Sequence, residues 1–236
     1  MVARSEFTSA ELAQQFMRRS RLSRTQGNVT RQIGKTSANG LVFELSKANR
    51  VVKVIPYGKA NEKKINREKN FQKRLGNKGI APKVLAYSKI RLNAASRIGF
   101  NWNSNKNGVA LLVMNHLKRS PTNVVMSVAN YMNHTANGRL PAAIKAKLNA
   151  RVKAMHRNGI FHANLHMDNV YLILDNNGVL KNVKIIDFGR SIPYRGREKR
   201  MGNLNNTHSP AVHWSSGNTG RRCNFKMMNL VNARTP

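Results

Sequence analysis

Polar residues that could do chemistry collect at the outer ends of two strand-like segments. The apolar runs 170–174 and 183–186 flank the sequence DNNG at 175–178, which is typical of the turn of a β-hairpin. The sequence HANLHMDN at 162–169 precedes the first run, and DFG at 187–189 follows the second. Because paired hairpin strands run antiparallel, the start of one strand lies beside the end of the other. The sequence therefore predicts that these two polar groups lie together.

The order of these residues resembles the catalytic loop and DFG segment of the protein-kinase-like fold. In that fold a loop of the form HxDxxxxN precedes a hairpin that ends in DFG. The form HxDLHxxN is closest to the small atypical kinases of the RIO and related lineages. The resemblance extends over residues 32–192 and implies phosphoryl transfer from ATP, with Mg²⁺ held by Asn169 and Asp187.

One position departs from this resemblance, and it is the position of the proton acceptor. Asn164 stands where the family has the Asp that receives the substrate hydroxyl proton. An amide is not a useful base, and loss of a general base removes about 10²–10⁴ of the rate. We expect Asp168 to face elsewhere in the loop. The prediction is a pseudokinase that binds ATP and Mg²⁺, with an active atypical Ser/Thr kinase as an alternative.

A lysine within an apolar run is the second candidate site residue. Lys53 lies within VVKVI at 51–55, where a buried ammonium group is costly unless a partner neutralises it. The helical pattern over 61–75 places Glu68 on the apolar face. The resemblance implies that Lys53 and Glu68 form the ion pair that holds the α- and β-phosphates of ATP. Glu62 is an alternative partner, although its place in the first helical turn favours a solvated carboxylate.

The sequence GKTSANGLVFEL at 34–45 is a candidate phosphate-binding loop. It is not a Walker A motif, because Val29 stands where that motif requires glycine. It fits better as a degenerate glycine-rich loop between two strands, with Gly40 and Val42 in the last glycine and valine positions. An ordinary β-turn is the alternative interpretation.

A buried strand followed by a loop is the candidate for the interlobe hinge. The run GVALLVM at 108–114 predicts the strand. The resemblance then places Met114 behind the nucleotide base. It also implies that Asn115, His116 and Leu117 offer backbone groups to the adenine edge.

The charge of the chain indicates an anionic partner. Its 42 lysines and arginines against 9 acidic residues give a net charge of +33, yet 40% of the residues are hydrophobic, which favours a globular protein. We expect DNA, RNA, an anionic membrane or an acidic protein surface in a larger assembly as the partner. The alternative function is therefore a non-enzymatic basic structural protein. It could be nucleic-acid-associated or a minor virion component of a large DNA virus that reuses the kinase fold.

The expected fold class is α+β, a two-lobed protein-kinase-like fold with a shortened C-terminal lobe. The expected division is a basic N-terminal helix or arm at 1–31, an N-lobe at 32–114, the core of the C-lobe at 115–192 and a basic tail at 193–236.

Cysteine usage and the N-terminal sequence bear on location. Cys223 is the only cysteine, which excludes an intrachain disulfide and a cysteine-based zinc site. No zinc, haem or flavin is expected. Without a signal-peptide pattern or a membrane-spanning run, we expect an intracellular protein that is not secreted, with the nucleus or a virus particle as candidate locations.

Overall fold

The computed structural model describes residues 8–37, 40–92, 107–118, 120–135 and 140–194. Both the tip of the candidate glycine-rich loop at 38–39 and nearly all of the basic tail that the sequence predicts lie outside this part of the chain. The described helices and strands are α1 (Ser9–Arg19), α2 (Leu22–Gln26), β1 (Val29–Ser37), β2 (Gly40–Leu45), β3 (Arg50–Tyr57), α3 (Glu62–Asn77), β4 (Val84–Arg91), β5 (Gly108–Asn115), β6 (Val124–Ser127), α4 (Val128–Asn133), α5 (Ala142–Arg157), β7 (Ile160–Phe161), β8 (Val170–Leu174), β9 (Leu180–Ile185) and β10 (Ile192–Pro193).

The chain divides into two compact units, and the boundary between them falls inside α3. The first unit contains Met1–Asn70 and Lys83–Leu117, and the second contains Phe71–Pro82 and Lys118–Pro236. Both units combine helices with antiparallel strands, which confirms the α+β class predicted from the sequence.

A five-stranded antiparallel sheet in the order β1-β2-β3-β5-β4 forms the framework of the first unit. Side chains alternate between the two faces of a strand, so Phe43 of β2 and Val52 of β3 share one face. Helix α1 packs its buried residues Leu12, Phe16 and Met17 into the core on that face. The segment that the sequence assigned to an N-terminal arm therefore contributes to this core.

The α1 helix begins where its sequence provides a cap. Thr8 and Glu11 form a capping box, in which each residue's side chain accepts a hydrogen bond from the backbone N–H of the other. This arrangement satisfies two donors that the first turn of a helix otherwise leaves without partners.

The second unit is built on the sheet β6-β8-β9 and on helix α5. One stripe of α5 is buried in the core with the inward residues of β8 and β9, and it comprises Ile144, Leu148, Val152 and Met155. The hairpin β8–β9 confirms the turn that the sequence predicted at 175–178. Asp175 stabilises this turn, since its Oδ1 accepts the backbone N–H groups of Asn177 at 3.0 Å and Val179 at 2.8 Å.

Within the described residues, no helix combines the length and the apolar character needed to cross a membrane.

Candidate functional site

In the first unit, strand β3 and helix α3 bring Lys53 and Glu68 together. The distance between Lys53 Nζ and Glu68 Oε1 is 2.7 Å, and the two residues are only 8% and 5% exposed. A buried ammonium group is tolerated because a carboxylate neutralises it, whereas either charge alone in this environment would be strongly unfavourable.

Glu62, the other candidate partner of Lys53, has a different contact. It is an ion-pair partner of Lys89, with 2.6 Å between Lys89 Nζ and Glu62 Oε1. The hydrogen bond from Lys89 lowers the pKa of Glu62 below its ordinary value. Only Glu68 of the two carboxylates is therefore the neighbour of Lys53.

Val42 lies beside Lys53 across the sheet, and Leu112 lies on the other side of Lys53. Directly opposed residues on antiparallel strands project from the same face, so Val42 is on the face that carries the lysine. The strand that supplies Val42 begins at Gly40, whose φ of +117° is rarely open to other residues. A Cβ atom at Gly40 would lie 2.4 Å from the carbonyl oxygen of Val54. Glycine is therefore required where β2 approaches β3.

The end of β5 places the residues expected to contact a nucleotide base. Met114 is the last but one residue of the strand and lies opposite Val51 of β3. The backbone N–H of Asn115 donates to the carbonyl of Lys83 at 3.0 Å, and that of His116 donates to the carbonyl of Asn49 at 2.9 Å. Two of the three residues expected to offer backbone groups to adenine thus have their N–H groups engaged within the first unit.

Leu117 follows directly after these two residues and is half-buried. Its neighbour His116 also lies near a carboxylate, with 3.6 Å between its Nδ1 and Glu44 Oε1. No local pattern indicates this pair, because the two residues are 72 positions apart and belong to different elements. If the segment contacts a base, the Leu117 N–H and the carbonyl groups of the segment are the backbone groups to consider.

In the second unit, the loop that ends at the start of β8 orients Asn169. Its side-chain nitrogen Nδ2 donates to the backbone oxygen of Asn164 at 3.0 Å and lies 2.9 Å from Nε2 of His166. A carbonyl oxygen can only accept, so the amide nitrogen must point toward Asn164. The amide oxygen Oδ1 is then the atom of Asn169 directed at other partners.

His166 supports this orientation when it is neutral and carries its proton on Nδ1. That nitrogen lies 3.6 Å from Oδ2 of Asp168, which favours this tautomer and leaves Nε2 as the acceptor for Asn169. The sequence analysis does not predict the contact between His166 and Asn169, although their spacing of three residues is the separation that a helical turn brings together.

Asp187 adopts a strained backbone conformation at the end of the hairpin. Its φ and ψ are 61° and 67°, a left-handed conformation that costs L-residues about 1–2 kcal/mol. The ring of Phe188 packs against His162, with 5.0 Å between ring centroids. His162 Nε2 lies 2.8 Å from the carbonyl oxygen of Ile186. Such strain persists only where surrounding contacts hold it, and it is most frequent at functional sites.

Backbone contacts join the strand ends that carry Asn169 and Asp187. The N–H of Ile186 donates to the carbonyl of Asn169 at 3.0 Å, so the residue that precedes Asp187 is hydrogen-bonded to Asn169. An amide oxygen and a carboxylate are hard oxygen ligands of the kind that Mg²⁺ prefers, and Mg²⁺ commonly takes its remaining ligands from phosphates and water. The donor set therefore fits a magnesium ion bound together with a nucleotide.

In the described part of the chain, no cluster of three or more His, Cys, Asp or Glu residues is arranged to hold a metal. A site built from one amide, one carboxylate and substrate phosphates does not need such a cluster.

Asp168 is the carboxylate nearest to Asn164 in the sequence. Asp168 has an exposed side chain, at 52%, and its near neighbour is His166. Ala163, immediately before Asn164, has a φ of +58°. The loop thus keeps a demanding backbone geometry around Asn164.

The predicted residues are therefore grouped within each unit. Lys53 and Val42 lie on one face of the first unit's sheet, and Glu68 of α3 pairs with Lys53. Asn164, Asn169 and Asp187 lie at the polar end of the β8–β9 hairpin in the second unit.

Comparison with known proteins gives the family of the chain. None of the curated proteins matches it. A family model does match, and the match extends over residues 21–221, so it includes every candidate site residue discussed above. The model describes the lipopolysaccharide kinase (Kdo/WaaP) family, a group with the protein-kinase-like fold. The RIO-like lineage expected from the loop stays a prediction. Since the match covers most of the 236 residues, the chain belongs to the lipopolysaccharide kinase (Kdo/WaaP) family.

Proposed function

We propose that this chain is a kinase-fold protein that binds ATP with Mg²⁺ but transfers the phosphoryl group slowly or not at all, as a pseudokinase does. The observation that carries the proposal is Asn164, which occupies the position of the proton acceptor in a loop whose other features are intact. Membership of a kinase family supports a kinase-like function and the use of ATP and Mg²⁺.

Lys53 is the proposed ligand of the α- and β-phosphates. Glu68 fixes the ammonium group at 2.7 Å, and an ion pair held in a buried environment is costly to keep unless it has a role. In the same proposal Gly40 and Val42 cover the phosphates, while Met114, Asn115 and Leu117 contact the base.

Asn169 and Asp187 are the proposed ligands of the metal. A bound magnesium ion would neutralise the phosphate charge that develops during transfer. The hydrogen bonds of the Asn169 amide nitrogen leave its oxygen available to bind the metal. The strained backbone of Asp187 is of the kind found at functional sites, which supports a functional role for its carboxylate.

Phosphoryl transfer also requires a destination for the proton of the attacking hydroxyl group. The amide of Asn164 can hydrogen-bond to that hydroxyl but cannot accept its proton. We expect a loss of about 10²–10⁴ in rate relative to a loop with Asp, while binding and positioning are retained. An active atypical Ser/Thr kinase would need a base from elsewhere and is the alternative.

Thermal unfolding with ATP in the presence and absence of Mg²⁺ tests this proposal. A ligand at 100 times its Kd stabilises the folded state by about 2.7 kcal/mol, so a magnesium-dependent rise in Tm is expected. Lys53→Ala and Asp187→Asn should abolish the rise, while Lys59→Ala, a change at an exposed lysine near β3, should leave it unchanged. The absence of any shift at millimolar ATP would refute nucleotide binding.

The charge of the chain favours a second, compatible function. A net charge of +33, from 42 basic and 9 acidic residues, is not required by phosphoryl transfer but suits a protein that binds DNA, RNA or an acidic protein surface in a larger assembly. We propose this as a structural role on the kinase fold, with the nucleus or the particle of a large DNA virus as candidate locations. A separate observation, the form HxNLHxxN of the loop, supports a relation to RIO-like kinases within the kinase-like fold. We expect the protein to bind duplex DNA with an affinity that falls steeply as salt is added. Salt-insensitive binding would contradict this role.

A further inference from the structure

Helix α5 and strand β9 carry a group of cations with fixed positions. All 16 residues of α5 lack a carboxylate, although five of them are lysine or arginine. Cationic side chains of α3, α5 and β9, all in the second unit, donate hydrogen bonds on or beside this helix and strand. We call this group the α5–β9 cation cluster, and it comprises Arg74, Lys147, Arg151 and Lys184.

Each cation of the cluster is held by a neutral oxygen atom. Lys147 Nζ donates to the carbonyl of Lys181 at 2.7 Å, and Arg151 Nη2 donates to Oδ1 of Asn182 at 2.7 Å. Lys184 Nζ donates to the carbonyl of Gly79 at 2.7 Å, and Arg74 Nη1 donates to that of Asn158 at 3.0 Å. A neutral acceptor fixes the position of a cation without cancelling its charge, so these contacts leave the cluster strongly positive.

The cluster also contains like charges at close range. Burial lowers the pKa of Lys184, and the positive charge of Arg151 lowers it further. Asp175, a carboxylate of the same hairpin, pairs with Lys181 at 3.0 Å, and Lys181 is outside the cluster. An anion placed here would relieve the repulsion between Arg151 and Lys184.

Protection of an exposed strand edge is a simpler role for lysines, because β9 is at the edge of its sheet. That role needs only a solvated charge. It does not account for Arg74 and Arg151, which lie on helices, or for the specific oxygen acceptors that all four side chains contact.

The shape of the adjoining surface indicates the class of partner. The solvent face of α5 carries alanines, which allow a polymer backbone to approach closely, and the helix has no Phe, Tyr or Trp for base stacking or membrane insertion. From Lys147 to Asn158, which holds Arg74, the helix rises about 16 Å at 1.5 Å per residue, long enough to follow several phosphates of one strand. The exposed residues of α5 are Ala142, Ala143, Ala146, Ala150, Lys153 and Arg157.

We propose that the α5–β9 cation cluster binds the phosphate backbone of duplex nucleic acid without reading its sequence. The inference rests on the polyanion-binding role proposed above and assigns that role to one surface. It is independent of ATP binding, since none of the four residues is among the proposed nucleotide or metal ligands.

Fluorescence anisotropy of a labelled mixed-sequence DNA duplex with the full chain, measured over a series of salt concentrations, tests the proposal. The cluster variant is Lys147→Gln/Arg151→Gln/Lys184→Gln, in which each glutamine keeps an N–H donor. The matched control is Lys59→Gln/Lys63→Gln/Lys83→Gln, which removes the same charge from exposed positions of the first unit.

We expect the cluster variant to lose about tenfold or more in affinity and its log–log salt slope to fall by about 2–3, whereas the control changes much less. Equal losses in the two variants would show that only net charge matters and would overturn the proposal. Cluster-dependent binding to anionic lipid vesicles or polyglutamate without duplex binding would also overturn it. The Tm shift with ATP and Mg²⁺ should be the same in the cluster variant and in wild type, so failure of the surface and failure of the nucleotide site are distinguishable.

Discussion

The side-chain nitrogen of Asn169 lies 3.0 Å from the backbone oxygen of Asn164, so the proposed metal ligand is oriented by the backbone of the residue that we propose occupies the base position. This contact does not involve the side chain of residue 164. A substitution at this position can therefore change the chemistry of its side chain while the orientation of Asn169 is preserved.

Asn164→Asp should restore a proton acceptor to the loop. We expect phosphoryl transfer from ATP, measured as hydrolysis or autophosphorylation with radiolabelled ATP, to rise by about 10²–10⁴ because a general base contributes that factor. Asn164→Ala is the control and should give no gain. A wild-type protein already as fast as the Asp variant would show that the missing base is supplied elsewhere and that the pseudokinase proposal is wrong.

Removal of one member of the Lys53–Glu68 pair should destabilise the first unit severely. Lys53→Met leaves the carboxylate of Glu68 buried without its ammonium partner, and we expect a loss of about 3–5 kcal/mol in the free energy of unfolding. The double variant Lys53→Met/Glu68→Leu should lose much less, because apolar residues of similar volume replace a buried pair well. Urea unfolding measures both quantities. Additive losses in the double variant would show that the two charges do not stabilise each other.

Ala163→Gly should stabilise the protein, in contrast to most glycine substitutions. Ala163 has a φ of +58°, a conformation that costs an L-residue about 1–2 kcal/mol and glycine almost nothing. After the greater flexibility of glycine in the unfolded chain is allowed for, we expect a gain of about 0.5–1 kcal/mol in thermal or urea unfolding. Ala150→Gly, in the exposed face of α5, is the control and should destabilise by a similar amount. A loss at position 163 would mean that the backbone is not strained there.

Asp175 should make part of the stability depend on acid pH. Hydrogen bonds from the N–H of Val179 and then from Lys181 lower its pKa below the ordinary value of 3.8. The stability that the ionised Asp175 contributes to the folded state is therefore present above the ordinary pKa. It is lost as the pH falls through the lower pKa of the folded state. The difference in unfolding free energy between wild type and Asp175→Asn, followed from about pH 6 to about pH 2, should shrink toward zero. A difference that stays constant over this range would contradict the assignment.

The sequence predicted best those features that depend on neighbours in the chain. The β8–β9 hairpin follows from a turn sequence between two apolar runs, and the buried stripe of α5 follows from helical spacing. Local patterns of this kind also placed Glu68 on the inner face of α3. The tertiary structure determines which strand lysine pairs with Glu68. The resemblance to kinases is what predicts that this lysine is Lys53.

Features that depend on distant segments could not be predicted in the same way. The N–H of Asn115 is engaged by the carbonyl of Lys83, and His116 lies near Glu44, because strands β2, β3, β4 and β5 are neighbours in the sheet. Nothing in the local sequence fixes those pairings. The orientation of the Asn169 amide likewise depends on a backbone oxygen, which is present at every residue and leaves no signal in the sequence.

Helix α1 has a practical consequence for anyone who shortens the chain. The family match begins at residue 21, so a truncation guided by it would discard Ser9–Arg19 along with Phe16 and Met17, which are 2% and 0% exposed. The sheet would then present a bare apolar face to water, and a shortened protein would tend to precipitate during purification even though every proposed ligand of ATP and Mg²⁺ remained in place.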